Sequence, residues 1–249
     1  MSVRAARPKA SFDGMGQRRQ RLAFPIAAMI VVAIGSVLVW RTVSSPNAVA
    51  RGGAPVMHTV STERGERAEL RLGDGTRVVL AAVSTLRYPA DFGARSREVH
   101  LEGEAYFDVV HDARNPFVVR AGSAIAEDLG TAFIVRAYPN DPDAEVIVTS
   151  GKVALRAAEA GAPRGPVLTR GQLGRLTRDD NAVKVETVDV DDYVGWTEGR
   201  FVFDGEPLSE VIIRLERWYD VVFRFGDSTL ASHRITASFK DKTIAEVLD

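Results

Sequence analysis

The 249-residue sequence contains no cysteine. Disulfide bonds, thiolate-based zinc sites and a thiol nucleophile are therefore excluded, and any folded domain must be stabilised by its hydrophobic core alone. Histidine is also scarce, and the spacing of the four histidines matches no metal-binding motif, so we expect structural or surface roles for them and no metal site. They are His58, His100, His111 and His233.

The motifs of several enzyme classes are missing as well. The sequence has no G-x-S-x-G nucleophile motif, no G-x-G-x-x-G dinucleotide motif and no phosphate-binding P-loop. The acidic residues Glu98, Glu102, Glu104 and Asp108 are close enough in sequence to suggest the carboxylate pair of a glycoside hydrolase. However, Glu102 and Glu104 flank Gly103 at a predicted turn, where solvent-exposed charge is usual. The sequence therefore predicts a protein that is not an enzyme and has no cofactor.

The overall composition is that of an ordinary globular protein. The formal net charge is -1 at pH 7, and 45% of the residues are hydrophobic. Because no domain is strongly basic, nucleic acid is not an expected partner.

The most conspicuous feature is an apolar run at residues 22–40, LAFPIAAMIVVAIGSVLVW, which contains no charged side chain. As a helix it would extend roughly 28 Å, close to the hydrocarbon thickness of a bilayer. A buried core helix is the alternative, but such helices normally have a polar stripe and this run has none. We therefore predict a single transmembrane helix at residues 22–40.

The flanks of this run predict its orientation. Residues 1–21 form a basic tail in which Asp13 is the sole acidic residue, whereas the twenty residues after the run contain only Arg41 and Arg51 as basic residues. Basic flanks stay on the cytoplasmic side, so we expect an inner-membrane protein with a cytoplasmic N-terminus and its bulk in the periplasm. A cleaved signal peptide is the competing interpretation, because residues 48–50, Ala-Val-Ala, resemble a cleavage site.

Residues 41–56 are rich in small residues, Gly and Pro, which is typical of a flexible linker. Such a tether cannot transmit force over a distance, which favours signalling by local unfolding or proteolytic release over rigid coupling.

Residues 57–190 show the period of two that is typical of β-strands. Ala68, Leu70 and Leu72 alternate with charged residues, and Asp74-Gly75 then predicts a hairpin turn. Ten or more short strands, with no convincing helix between them, predict an antiparallel β-sandwich or barrel-like domain. Missing crossover helices argue against a parallel α/β fold.

Residues 191–249 predict a small α+β signalling module. A strand at 200–203, an amphipathic helix at 207–219 and a strand at 221–225 follow one another. The pattern of residues 203–212 recurs at 239–248, so two copies of strand, helix and strand, a βαβ-βαβ module, are expected. Thr243 and Glu246 have capping-box spacing at the start of the second helix. Because the sequence ends one turn or so into that helix, we expect the module to be C-terminally incomplete.

Four sequence elements in the β domain are together typical of one family. They are Gly103-Glu104-Ala105-Tyr106-Phe107-Asp108-Val109, Pro116-Phe117-Val118-Val119, Gly130-Thr131-x-Phe133 and Gly151-Lys152-Val153. With them the chain resembles the FecR family, ferric-citrate-type transmembrane regulators of extracytoplasmic-function sigma factors. The resemblance covers about residues 58–188, and the stretch from 196 to 225 is similar to the family's C-terminal domain, which resembles the short N-terminal (STN) signalling domains of secretins and TonB-dependent transducers.

The resemblance implies a relay from the outer membrane to transcription. The periplasmic part would sense an outer-membrane TonB-dependent transducer, often one for iron uptake, and the cytoplasmic part would control a sigma factor. The family usually has a helical sigma-binding domain before the membrane, where this sequence has twenty-one basic residues. Either the true start lies upstream of Met1, or the sigma contact is made by another chain or not at all.

The predicted partner-binding residues lie in the helix of the module and in the strand after it. They are Arg214, Arg217, Trp218, Val221, Phe223 and Phe225. Arg214 and Arg217 share their helix with Glu210 and Glu216, which is also typical of a solvated face. Val221 to Phe225 could receive a partner strand at an open sheet edge.

Two other functions stay open. A membrane-tethered binder of cell wall or polysaccharide would need Tyr88, Phe92, Tyr106 and Phe107 exposed together. A component of a secretion channel would have further copies of the repeat beyond Asp249.

Overall fold

The computed structural model describes residues 56–177 and 182–248. The predicted basic tail (1–21), the predicted transmembrane helix (22–40) and all but the last residue of the predicted linker lie outside these residues. No helix in the described ranges is both long and apolar enough to cross a membrane.

Thirteen strands precede the first described helix. They are β1 (Met57–Ser61), β2 (Ala68–Arg71), β3 (Arg77–Leu80), β4 (Thr85–Pro89), β5 (Arg97–Asp108), β6 (Phe117–Ala121), β7 (Ala124–Asp128), β8 (Ala132–Ala137), β9 (Asp143–Ser150), β10 (Lys152–Ala157), β11 (Val167–Thr169), β12 (Gln172–Thr177) and β13 (Val183–Thr187). All thirteen belong to one sheet that folds around a hydrophobic core in a barrel-like sandwich. We call this part the sandwich. The prediction of a mainly β domain is confirmed.

The sheet has two halves that face each other across the core. The first contains β1, β4, β6, β7, β10 and β11, and the second contains β2, β3, β8, β9, β12 and β13. Strand β5 belongs to both, because its first residues pair with β4 and β6 and its last residues pair with β3 and β8. The β5–β6 pair is parallel, unlike the antiparallel pairing that the sequence predicts.

Gly103 is where β5 passes from one half-sheet to the other. Its φ is +105°, and a Cβ there would lie 2.7 Å from Ser84 Cα, so only glycine fits this bend. The predicted turn at Glu102-Gly103 is therefore wrong. The chain bends at Gly103 without reversing, and a single twelve-residue strand replaces the two expected strands.

The core of the sandwich is rich in aromatic residues. The ring of Phe107 lies 5.4 Å from that of Phe133 and 5.5 Å from that of Phe117, and all three side chains are fully buried. Because strand side chains alternate in direction, the apolar positions of period two point into this core.

The remaining elements form the module. They are α1 (Val190–Val194), a 3-10 turn (Gly195–Glu198), β14 (Arg200–Pro207), α2 (Leu208–Tyr219), a second 3-10 turn (Ser228–Ser232), β15 (Arg234–Lys240) and α3 (Ile244–Leu248). Strands β14 and β15 pair antiparallel, with Arg200 opposite Lys240. The predicted helix is confirmed as α2, and the predicted capping box is confirmed at α3, where Thr243 N donates to Glu246 Oε2 at 2.8 Å.

One predicted strand does not form. Residues 221–225 are not part of any sheet, because among the described residues no strand pairs with them. The two copies of strand, helix and strand are therefore incomplete in the described residues, which contain one two-stranded sheet with helices around it.

Candidate docking site and its contacts with the sandwich

A second hydrophobic core joins the module to the outer face of the second half-sheet. Val79 and Ala81 of the sandwich are buried there together with Trp196, Phe201 and Phe203 of the module. The apolar face of α2 enters the same core through Val211 and Leu215. The amphipathic helix therefore faces both its own sheet and the sandwich.

Arg217 binds the sandwich rather than solvent. Its guanidinium forms two hydrogen bonds with the carboxylate of Asp141, at 2.7 Å (Nη2 to Oδ1) and 3.3 Å (Nη1 to Oδ2). It also lies 3.6 Å from the centre of the Tyr138 ring. The side chains of Arg217 and Asp141 are 14% and 24% exposed. Arg217 is therefore not part of a solvated face, because Nη1 and Nη2 bind Asp141, and its partner-binding role stays a prediction.

Arg214 is also occupied within the chain. Its Nη1 donates to both carboxylate oxygens of Glu206, at 2.8 and 2.9 Å. Its guanidinium lies 4.7 Å from the centre of the Phe203 ring. The pair links α2 to the end of β14, so Arg214 stabilises the module rather than presenting a free cation.

Trp218 lies in the second core. Its ring is 4.6 Å from Phe201 in an edge-on arrangement and 5.9 Å from Trp196. The guanidinium of Arg67, from the sandwich, lies 5.2 Å from the Trp218 ring and donates to the Trp196 carbonyl at 2.8 Å. Trp218 is therefore a packing residue between the two parts, not an exposed recognition aromatic.

The loop between β1 and β2 caps the end of α2. The last carbonyls of a helix lack partners inside the helix and must find them elsewhere. Gly65 N donates to the Arg217 carbonyl at 2.8 Å, and Arg64 Nη1 donates to the Glu216 carbonyl at 3.0 Å. Gly65 has a φ of +71°, in the left-handed region that favours glycine. We call the contacts of Arg217 with Asp141 and Tyr138, together with this capping loop, the clamp.

A ladder of buried charges runs across the same face of the second half-sheet. Arg136 pairs with Glu104 at 3.1 Å and with Glu145 at 3.2 Å. Burial alone would lower the pKa of Arg136. The carboxylates of Glu104 and Glu145 outweigh this effect and raise the pKa above its usual value, so the guanidinium stays charged. Glu104 is only 6% exposed. The expectation that its carboxylate is solvated is therefore wrong, because the bend at Gly103 turns Glu104 towards Arg136.

Polar atoms near the clamp are not all satisfied. Burial raises the pKa of Tyr138, and its hydroxyl donates to the Ala82 carbonyl at 2.9 Å. Arg136 Nε and Trp196 Nε1, by contrast, are buried without a hydrogen-bond partner. Buried unpaired donors weaken an interface, so these two groups offset part of the stabilisation that the second core provides.

Residues 221–225 form the surface part of the site. Val221 and Phe223 are half-buried, and Phe223 N donates to Glu216 Oε1 at 2.8 Å. Val222 is 76% exposed and Phe225 is 38% exposed. The segment therefore follows the clamped end of α2, lies outside the sheets, and presents two apolar side chains to solvent. We call it the docking segment.

Sequence reasoning missed Asp141, Tyr138 and the capping loop. Arg217 and Asp141 are separated by 76 residues, and Arg64 and Glu216 by 152 residues, so no local pattern links them. The exposure of Val222 could have been found, because a period of two places it on the face opposite Val221 and Phe223.

The aromatic surface expected of a polysaccharide binder is not formed. Tyr88, Phe92 and Phe107 are buried, and Tyr106 is half-buried under the module. In residues 56–177 and 182–248, no group of three or more His, Cys, Asp or Glu side chains is arranged to hold a metal ion.

Comparisons with known proteins agree with this two-part architecture. The family described as FecR protein matches residues 58–154, and the family described as FecR, C-terminal, matches residues 200–249. Among curated proteins, no significant match was found.

Two crystal structures of a "putative anti-sigma factor" from Parabacteroides distasonis ATCC 8503 are similar to this chain. One has 30% sequence identity and a TM-score of 0.70, and covers 77% of this chain and 88% of that one. The other has 31% identity and a TM-score of 0.66, and covers 78% of this chain and 89% of that one.

The fold and the clamp define a class of two-part protein, in which a β-sandwich holds a small α/β module. The two family matches and the likeness to these two structures show that the chain belongs to the FecR family.

Proposed function

We propose that the protein is an inner-membrane regulator of an extracytoplasmic-function sigma factor. In this proposal the module binds the periplasmic signalling domain of an outer-membrane TonB-dependent transducer, and the chain relays that event to the cytoplasm. Membership of the FecR family and likeness to a structure described as an anti-sigma factor support a regulatory role. The apolar run at residues 22–40 supports the membrane location.

The observation that carries the proposal is the docking segment. Its burial alternates from Val221 to Arg224, it exposes Val222 and Phe225, and it has no strand beside it among the described residues. A partner strand can pair with such a backbone, and the exposed side chains then contribute specificity. Arg214 and Arg217 are occupied elsewhere, and Phe223 N donates to Glu216, so the other backbone groups and the exposed apolar side chains of residues 221–225 would recognise the partner.

The test uses Val222→Asp in the full chain. Val222 is 76% exposed, so the substitution leaves the fold intact while placing a charge on the docking surface. The matched control is Val185→Asp, on β13 of the sandwich, where the valine is 42% exposed. The probes are the transducer signalling domains and the sigma factors encoded in the same genome, assayed by co-purification.

We expect one signalling domain to co-purify with the wild-type chain and with the Val185→Asp variant. We expect Val222→Asp to weaken this binding about tenfold or more, as a charge buried in a strand-addition interface would. Equal binding by both variants would exclude the docking segment. Failure of every sigma factor to associate with the wild-type chain would contradict the regulatory part of the proposal.

A further inference from the structure

The turn at residues 81–84 contains a backbone conformation that is rare for its residue type. Val83 has a φ of +56°, which places a β-branched residue in the left-handed region. Its side chain is 40% exposed, so packing of this side chain does not explain the conformation. Strained residues persist only where surrounding contacts hold them in place. The contacts that hold this turn come from both parts of the protein.

On one side, the turn holds the end of strand β1. Thr62 directly follows β1 and is buried. Its backbone N donates to the Ser84 carbonyl at 2.9 Å, and its hydroxyl donates to the Ala81 carbonyl and accepts from Ser84 N. Glu63, the next residue, accepts from Val83 N at 3.2 Å. The first strand of the sandwich is therefore tied to this turn.

On the other side, the turn contacts the module and its clamp. The side chain of Ala81 is buried in the second core beside the module. The Ala82 carbonyl accepts from the hydroxyl of Tyr138, the residue whose ring lies under the guanidinium of Arg217. A displacement of α2 would therefore change the contacts of Ala81 directly and those of Ala82 through Tyr138.

Strand β1 is the part of the sandwich that such a change would detach with the smallest loss of free energy. It lies at an edge of the sheet and pairs with β4. None of its five residues is fully buried. Val60 packs against the core, and the ring of His58 lies 5.5 Å from that of Tyr88. Because few apolar contacts hold it, β1 belongs to the least stable part of the fold. The chain preceding β1 leads back to the predicted linker and membrane span.

We infer that the turn at residues 81–84 couples the docked state of the module to the attachment of β1. When the clamp is closed, the turn is held in its strained conformation and β1 is fixed. When the clamp opens, the turn relaxes and β1 detaches more readily from β4. This regulatory role rests on the proposed function, in which partner binding next to the clamp shifts its equilibrium. The physical coupling itself does not depend on any partner.

The first test is hydrogen–deuterium exchange on the full chain without a partner. Arg217→Gln opens the clamp, and we expect the amides of β1 to exchange at least about fivefold faster, the lower end of typical coupling between sites. Thr62→Val perturbs the contact between the turn at residues 81–84 and the end of β1. Because coupling is reciprocal, the amides in the last turn of α2 should then also exchange faster. If Arg217→Gln does not fold, Asp141→Asn weakens the same pair more mildly.

The second test closes the clamp with an engineered disulfide. A Cβ on Gly65 would lie 3.8 Å from Asp220 Cβ, the usual separation in a disulfide. The chain has no cysteine of its own, so Gly65→Cys with Asp220→Cys can form only this bond. The matched control is Gly122→Cys with Ala137→Cys, which also starts from a positive-φ glycine, at 3.9 Å from its partner Cβ, but lies within the sandwich.

In the Arg217→Gln background, the oxidised clamp disulfide should return β1 exchange to the wild-type rate, and reduction should reverse the effect. The control disulfide should not slow β1. The inference is overturned if Arg217→Gln speeds exchange in residues 216–225 and leaves β1 unchanged, or if the two disulfides act alike. Because no partner is present, these outcomes are independent of whether a transducer binds.

Discussion

The pair of Arg217 and Asp141 allows the strength of the clamp to be predicted. Its geometry is bidentate, at 2.7 and 3.3 Å, and both side chains are mostly buried. Exposed ion pairs contribute about 0 to 1 kcal/mol, whereas a hydrogen bond to a charged group contributes about 1.5 to 3 kcal/mol. The clamp pair has partial exposure, so we expect a coupling energy of about 1 to 3 kcal/mol between Arg217 and Asp141.

Arg217→Gln should destabilise the docked module by more than the coupling energy between Arg217 and Asp141. The substitution also removes the cation–π contact with Tyr138, which adds about 1 kcal/mol at a partly desolvated site. The total loss should therefore be about 2 to 4 kcal/mol of the free energy that holds the module in place. Asp141→Asn should cost less, because the amide oxygen still accepts one hydrogen bond.

Tryptophan fluorescence can follow this contact during urea unfolding. The chain has three tryptophans, and Trp196 and Trp218 lie 5.9 Å apart in the second core. A Trp40→Phe background leaves these two as the only reporters. The assay is a double-mutant cycle of Arg217→Gln and Asp141→Asn in that background.

The exposed pair of Arg77 and Glu69 provides the control cycle. It is also bidentate, at 2.6 and 3.1 Å, but its side chains are 34% and 55% exposed. We expect a coupling energy of less than about 1 kcal/mol between Arg77 and Glu69. A clamp coupling energy no larger than that of this control pair would show that burial does not strengthen the clamp.

Two further predictions concern the sandwich. Burial raises the pKa of Asp128 to about 6, so its contribution to stability is fully present below about pH 3.8 and is lost as the pH rises through about 6. Asp128→Asn should therefore be more stable than the wild type by about 2 to 3 kcal/mol at pH 7, with the difference vanishing near pH 4, as measured by urea unfolding. A stability difference between Asp128→Asn and the wild type that does not change with pH would contradict the raised pKa of Asp128. The same comparison in a His111→Gln background separates the effect of Asp128 from that of its neighbour His111. Gly103→Ala should destabilise the protein by about 2 to 4 kcal/mol, because it combines an unfavourable φ with a collision at Ser84. If this variant unfolds at the same temperature as the wild type, the bend does not require glycine.

The elements that the sequence predicts correctly depend on local chemistry. Helix α2 is found because its apolar residues recur at helical spacing and face one core. The start of α3 is found because Thr243 and Glu246 satisfy each other's capping groups over three residues. Both signals are complete within a few residues, so no knowledge of the rest of the fold is needed.

The incorrect predictions depend on distant residues. Gly103 has the local pattern of a turn, but the neighbouring Ser84 and the pairing on both sides of the strand turn it into a bend. Residues 221–225 have the period of a strand, but a strand also needs a neighbouring backbone to pair with. Arg217 has the pattern of a solvated face, and only the folded chain brings Asp141 beside it.

Hydrogen exchange in the docking segment on partner binding tests strand addition at residues 221–225 directly. The full chain would be mixed with the transducer signalling domain that co-purifies with it, and the amides of residues 221–225 would be followed one by one. We predict slower exchange at alternate residues of this segment, because an added strand bonds every second amide. Binding that leaves the exchange of all five amides unchanged would contradict docking by strand addition at this site.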